Sequence, residues 1–270
     1  YIGGQYGVLV SRDGCASWET TGLDLEAYAV HILGDGDVLA GTEQGLRRFD
    51  GASWSALVST LEGFEVWGIG GSADGSVLLA GSYGNGMALS ANGGSSWTPS
   101  TSGLSSLDVH HVAVAPEDPQ RLYAYTEAGV ERSTDGGAAW TRVHTDRGGT
   151  LAVSPFDAEL IVIYQWNHLL ESWDGGDTFG WDDRRSENMS LAQVEDVLFD
   201  PSEEGLLYAA TVRGVFRLDD MYTWSWTEAD VGLGAWSVWD IAAAPVTGVL
   251  YLASPSGVLR STDGGASWSI

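Results

Sequence analysis

Lysine is absent from the 270 residues: the 12 basic side chains are all arginine, against 37 aspartates and glutamates. A formal charge of -25 leaves no basic stripe to displace counterions, so nucleic acid and anionic membranes are excluded as expected partners. The acidity reads as a solubility feature, with cation binding or a high-salt setting as the alternative. A single cysteine, Cys15, excludes an internal disulfide framework. No apolar run approaches the ~18 residues of a membrane span, so no membrane insertion is expected. Helical periodicity is not sustained over three turns in any window. The chain begins at Tyr1 rather than Met, which reads as a processed or trimmed product with no leader left. Against these absences stand 13 Trp, 37 Gly and a hydrophobic content of 44%, enough for a substantial core rich in indole rings.

One octad recurs. Ser261-Thr-Asp-Gly-Gly-Ala-Ser-Trp268 is repeated as Ser11–Trp18, Ser90–Trp97 and Ser133–Trp140, and more loosely as Ser172–Phe179, Arg217–Trp224 and the shorter Phe49–Trp54. The closing aromatics are separated by 36, 43, 43, 39, 45 and 44 residues, a period that marks a repeat architecture. Each repeat carries short β-favouring runs between Gly, Pro, Asp and Ser clusters, named here strands A to D. In the last repeat these are Val238–Pro245, Val249–Ala253, Gly257–Arg260 and a run beginning at Trp268. The expected fold is all-β, a single seven-bladed β-propeller of four-stranded antiparallel blades over residues 1–270. The repeats run approximately 1–24, 25–61, 62–104, 105–145, 146–185, 186–231 and 232–270. Tyr1–Leu9 aligns with Tyr251–Leu259, so the first blade is expected to lack its innermost strand, which a longer parent chain would supply.

The Ser-x-Asp-x-Gly-x-Ser/Thr-Trp pattern resembles the Asp-box, or bacterial neuraminidase repeat. That repeat occurs in sialidase-like, xyloglucanase-like, sortilin-like and photosystem II assembly factor-like propellers. The resemblance covers the whole chain; it is specific for fold and weak for function. It implies that the turns lie on the blade periphery. Asp and Ser oxygens satisfy backbone N–H groups there, Gly permits positive φ, and the aromatic ring packs between strands. The structural set is Asp13 with Trp18, Asp50 with Trp54, Asn92 with Trp97, and Asp135 with Trp140. Asp174 with Phe179, Asp219 with Trp224, and Asp263 with Trp268 complete it. None has the ligand spacing of a calcium-binding EF-hand loop.

Chemistry is expected where strand A begins, at the channel mouth and its loops. Aligning the A strands on their apolar anchors gives a column of His31, Gly68, His111, Thr150, Asp196 and Asp240, flanked by Val30, Trp67, His110, Gly149, Glu195 and Trp239. His31, His111, Asp196 and Asp240 are the types that suit a divalent metal; otherwise they are a water-bonded polar lining, and no other cofactor is expected. Trp67, Trp181, Trp236 and Trp239 are candidates for an exposed platform, and an indole beside carboxylates suits a glycan or a protein hot spot. No catalytic residues are nominated. The resemblance to sialidases lacks their converging arginines, a single propeller supplies half of a xyloglucanase cleft, and the assembly-factor likeness lacks an Arg-rich face. The expectation is a secreted, cell-surface or periplasmic binding or scaffold module for a protein or glycan. The alternative is a glycoside-hydrolase-like fragment acting on glycans.

Overall fold

The computed structural model describes residues 1–145, 149–165, 168–181, 193–219, 221, 225–229, 237–244 and 248–269. Every regular element among them is a β-strand. The fold is a seven-bladed β-propeller, all-β, with the sheets falling into two compact units, Tyr1–Gly148 and Gly149–Ile270.

In the first unit, blade 1 has three strands, Ile2–Gly4, Gly7–Val10 and Glu19–Thr20. Blades 2, 3 and 4 have four strands each, with strand A at Ala27–Ile32, Val66–Gly71 and Val109–Val114. The second unit holds blades 5 and 6, with strand A at Thr150–Val153 and Val194–Phe199. It also holds blade 7, whose strands Asp240–Ala243, Leu250–Ser254 and Gly257–Ser261 are extended by an Arg260–Ser269 bridge. Adjacent strands are antiparallel throughout, as short connections require.

Core forms between successive sheets. Leu39, Leu46, Leu61, Val66 and Leu78 pack blade 2 on blade 3; Met87, Val109, Val112 and Trp140 pack blade 3 on blade 4. In the second unit Val162, Tyr164, Phe199, Leu207 and Trp226 join blade 5 to blade 6. Strand B is buried along both faces in blades 2, 3, 4 and 6, which explains its continuous apolar runs. Close approach fixes some residues as glycine. A Cβ on Gly41 would lie 2.5 Å from the Val66 carbonyl, and one on Gly81 2.5 Å from the Val109 side chain.

The recurring octad forms one hydrogen-bonded turn. In the copy at Ser261–Trp268, Ser261 Oγ donates to Asp263 Oδ1 (2.8 Å) and accepts from Gly265 N (2.9 Å). Asp263 Oδ1 accepts from Ser267 N (2.8 Å), and Oδ2 from Ser267 Oγ (2.6 Å). The Ser–Asp bond and the backbone bond to Oδ1 recur at Ser11/Asp13, Ser133/Asp135 and Ser172/Asp174, and at Ser90/Asn92 with an amide in place of the carboxylate. The hydroxyl-to-Oδ2 bond recurs at Asp13 and Asp174, is absent at Asp135, where Ala139 has no hydroxyl, and is reversed at Asn92, whose Nδ2 donates to Ser96 Oγ. Asp50 caps Ala52 N and Ser53 N in the shorter copy. Asp219 pairs with Arg217 (2.5 Å). These accepted bonds hold Asp13, Asp50, Asp135, Asp174 and Asp263 below the usual carboxylate range, Asp174 and Asp263 at about 2.

In blades 2, 4 and 7 an indole N–H ties the blade to the strand-D end of the one before it. Trp54 Nε1 donates to Thr21 Oγ1 (3.0 Å), Trp140 Nε1 to Ser100 Oγ (3.0 Å) and Trp268 Nε1 to the Ala229 carbonyl (2.7 Å). Trp97, Trp140 and Trp268 are buried; Trp18, Trp54 and Phe179 are only partly so, and Trp224 lies outside the described residues.

Candidate functional site

Strand A begins with a β-bulge in blades 2, 3, 4 and 6: Ala27/Ala29, Val66/Gly68, Val109/His111 and Val194/Asp196 flank one extra residue each. A bulge leaves its extra residue outside the ladder and re-aims the side chain. The extra residues are Tyr28, Trp67, His110 and Glu195. In blade 7, Trp239 precedes Asp240 in the same way and donates its N–H to the Ala253 carbonyl (2.9 Å).

This register corrects one expectation. The residues paired just after the bulge are Ala29, Gly68, His111, Asp196 and, across blades 5 and 7, Thr150 and Asp240. His31 is two residues further along and does not share their position. The equivalent of Val66 in blade 2 is Ala27, not Ala29, so Tyr28 rather than Val30 matches Trp67. His31 instead packs between blades 2 and 3: a Cβ on Gly71 would lie 2.8 Å from its Nε2. Burial lowers the pKa of His31. His111 is partly buried against Gly68. Among the described residues, no three His, Cys, Asp or Glu side chains converge to hold a metal ion.

In the first unit the bulge residues meet. Trp67 stacks on Tyr83 (centroids 5.2 Å, planes 17° apart), lies 5.3 Å from His110 and takes the edge of Tyr28 at 6.3 Å. Tyr83 and Tyr28 are 48% and 38% exposed, large values for rings inside a cluster. Tyr83 comes from the turn between strands B and C. Its N–H donates to the Glu65 carbonyl (2.9 Å), as Glu43 does to Glu26 and Glu127 to Asp108. That corner is shaped by the last residue of strand B: Thr42 Oγ1 donates to the Gly45 carbonyl (2.7 Å), Ser82 to Gly86 (2.9 Å) and Thr126 to Gly129 (3.0 Å).

Carboxylates frame the rings. Trp67 Nε1 donates to Glu65 (3.0 Å), Tyr28 OH to Glu26 (3.4 Å), and His110 Nε2 lies 3.4 Å from Glu127. Partial burial, followed by the charges of Glu26, Glu65 and Glu43, raises the Tyr28 pKa. The cluster is thus an aromatic surface in a negative field. Phe64 and Leu107, 38% and 45% exposed, extend the apolar part around blade 3.

The second unit is built differently at this edge. Asp196 accepts a hydrogen bond from buried Thr150 (3.1 Å) and lies within hydrogen-bonding reach of Asp240. Burial and then the charge of Asp240 push the Asp196 pKa well above its ordinary value. Trp239, beside Asp240, is 56% exposed. Trp181 forms strand D of blade 5 opposite Leu170, but its side chain, like all of Trp236, lies outside the described residues.

Trp67, Asp196, Trp239 and Asp240 therefore occupy the expected edge, whereas Tyr28, Tyr83 and the glutamates were not singled out. The signal for Tyr83 is the recurring Ser/Thr that ends strand B: the next residue is Glu43, Tyr83, Glu127 or Val212.

No protein-family profile and no curated protein sequence matches the chain. Solved structures do. The GH74 enzyme of Niastella koreensis is 20% identical, with a TM-score of 0.68 over 90% of this chain and 44% of its own. YCF48 from Cyanidioschyzon merolae is 16% identical, with a TM-score of 0.67 over 94% of this chain and 88% of its own; YCF48 bound to D1 peptide is similar as well. The extracellular domain of BT4673 from B. thetaiotaomicron is 15% identical, with a TM-score of 0.75 over 96% of this chain and 36% of its own. The chain spans less than half the length of the GH74 enzyme and of the BT4673 domain. At these identities the likeness is one of fold. No helix among the described residues is long and apolar enough to cross a membrane.

Proposed function

We propose that this propeller is a binding or scaffold module, secreted or displayed at a cell surface, that presents its strand-A edge to a protein or glycan. The observation that carries the reading is the Tyr28–Trp67–Tyr83–His110 cluster, whose exposed rings contribute little to any core and are held in place by Glu26, Glu65 and Glu127. Rigid, part-exposed aromatic rings with a polar rim are the usual anchors of recognition surfaces. The octad turns are assigned a structural role of Asp-box type, because each Asp is satisfied within its own turn. Likeness to a peptide-bound YCF48, a GH74 enzyme and an extracellular domain supports the class of partner and the location. The test is a survey of glycans and peptides read by Trp fluorescence, repeated on Tyr28→Ala/Tyr83→Ala. Ligands whose binding the double variant abolishes support the reading; a survey with no ligand, or with ligands indifferent to both rings, overturns it.

A second reading, a glycan-active hydrolase fragment, draws on the Asp196–Asp240 pair and exposed Trp239. The pair is in direct hydrogen-bonding reach, closer than the ~5–9.5 Å that separates acid and base in glycoside hydrolysis. A second carboxylate outside the pair would then be needed. Turnover of β-glucan oligosaccharides that is lost in Asp196→Ala or Asp240→Ala would support this reading, and absence of turnover would remove it.

A further inference from the structure

We infer that the ligand of the first unit's aromatic cluster is a cationic peptide segment, with arginine as the residue it grips. This rests on the reading of that edge as a binding surface and specifies its chemistry.

The argument is one of donors and acceptors. Three of the cluster's polar groups are engaged: Tyr28 OH on Glu26, Trp67 Nε1 on Glu65, and His110 Nε2 against Glu127, while the hydroxyl of half-exposed Tyr83 stays at the rim. The edge facing a ligand therefore offers π faces, carboxylate oxygens and the one hydroxyl of Tyr83, and a carboxylate that accepts one bond retains its charge and further lone pairs. Glu43 adds its field at Tyr28. Sugar hydroxyls both donate and accept, and their accepting half would find the Tyr83 hydroxyl as its main donor among many acceptors. Phosphate and sulfate groups would be repelled. A guanidinium has five donors and no acceptor, lies flat on aromatic rings and pairs with carboxylates, so each of its requirements is met here. Lysine would find the same field but lose the planar stacking.

The recurrence of the arrangement supports a peptide rather than a small cation. Acidic residues precede strand A in blades 2, 3 and 4 as Glu26, Glu65 and Asp108, and corner residues Glu43, Tyr83 and Glu127 are bonded to them one blade at a time. A single small cation fills one such position; an extended segment with spaced arginines fills several. The chain itself has no lysine and only 12 arginines, so it competes little for its own site.

The experiment titrates the full chain with a nonapeptide alternating Arg and Gly. Its Lys–Gly and Ser–Gly counterparts and a neutral β-glucan oligosaccharide are titrated in parallel, at low and high salt. Arg–Gly should bind more tightly than Lys–Gly, Ser–Gly should not bind, and salt should weaken both cationic peptides. Tyr83→Ala should weaken Arg–Gly binding about two- to fivefold, the range for one exposed cation–π contact. Combined Glu26→Gln, Glu43→Gln and Glu65→Gln, which keeps the side-chain shapes, should weaken it about tenfold and flatten the salt dependence. Glu203→Gln/Glu204→Gln, an exposed pair in the second unit, should leave binding unchanged and so controls for net charge. Arg–Gly binding unaffected by the cluster variants, or weakened equally by the control, overturns the inference. Oligosaccharide binding that needs Tyr83 without peptide binding overturns it while leaving the binding-surface reading intact. Binding of neither removes both.

Discussion

The C–D turns and the starts of strand A both recur around the propeller, but they repeat different things. In the turns, backbone and side chains recur together: the Ser–Asp bond and the bond to the residue six positions after the Ser are the same at Asp13, Asp135, Asp174 and Asp263, in both units. At the strand-A starts only the backbone recurs. The bulge is kept in blades 2, 3, 4 and 6, while its extra residue is Tyr28, Trp67, His110 or Glu195. Side chains that recur with the backbone serve the fold, because every blade needs the same closure. Side chains that vary on a constant backbone can be recruited for recognition, since the fold does not constrain them.

Breaking that contrast has the largest effect in the turns. Trp140→Ala removes a ring that is 3% exposed and donates to Ser100, and should cost about 3–5 kcal/mol in denaturant unfolding. A loss below 1 kcal/mol would remove the structural assignment. Acid titration separates the regions by sign. The folded pKa values of Asp174 and Asp263 lie near 2, below their unfolded values, so their stabilisation is complete above about pH 4 and fades as pH falls toward 2. Asp196 has a folded pKa above its unfolded one, so its effect lowers stability as pH rises from about 4 toward that folded value. Melting temperature against pH should therefore have a shallower acid limb in Asp263→Asn and a weaker decline above pH 4 in Asp196→Asn; the same change in both would erase the distinction.

A smaller effect tests a copy whose turn places a side chain at positive φ. Cys15 holds φ 78° where Gly265, Gly137 and Gly94 stand in other copies. Cys15→Gly should stabilise the chain by about 1 kcal/mol, the strain relieved exceeding the added chain entropy. The smallest effect belongs to the platform. Tyr83→Ala should change stability by no more than about 0.5 kcal/mol while altering Trp67 fluorescence, because the ring is half exposed.

The same contrast explains what could be read from the chain alone. The turns announced the fold because their chemistry is local and repeated, so spacing yielded seven blades and a short first sheet. The platform was less legible because it depends on register between strands. Ala27 in place of a valine moved blade 2 out of line by two residues, which substituted His31 for Ala29 and Val30 for Tyr28. Tyr83 was missed because its corner, Ser82-Tyr-Gly-Asn-Gly86, is one residue longer than Thr42-Glu-Gln-Gly45. The Asp196–Asp240 pair is legible as two carboxylates in one column, but the hydrogen bond from Thr150 to Asp196 requires the blade 5 pairing.

The indole latches also set a direction in time. Trp54 reaches back to Thr21, Trp140 to Ser100 and Trp268 to Ala229, in each case to a residue synthesised earlier. In these three blades the docking group is already outside the ribosome when the indole emerges, and none of the three latches waits on sequence still to come. Such a chain can consolidate vectorially, blade upon blade.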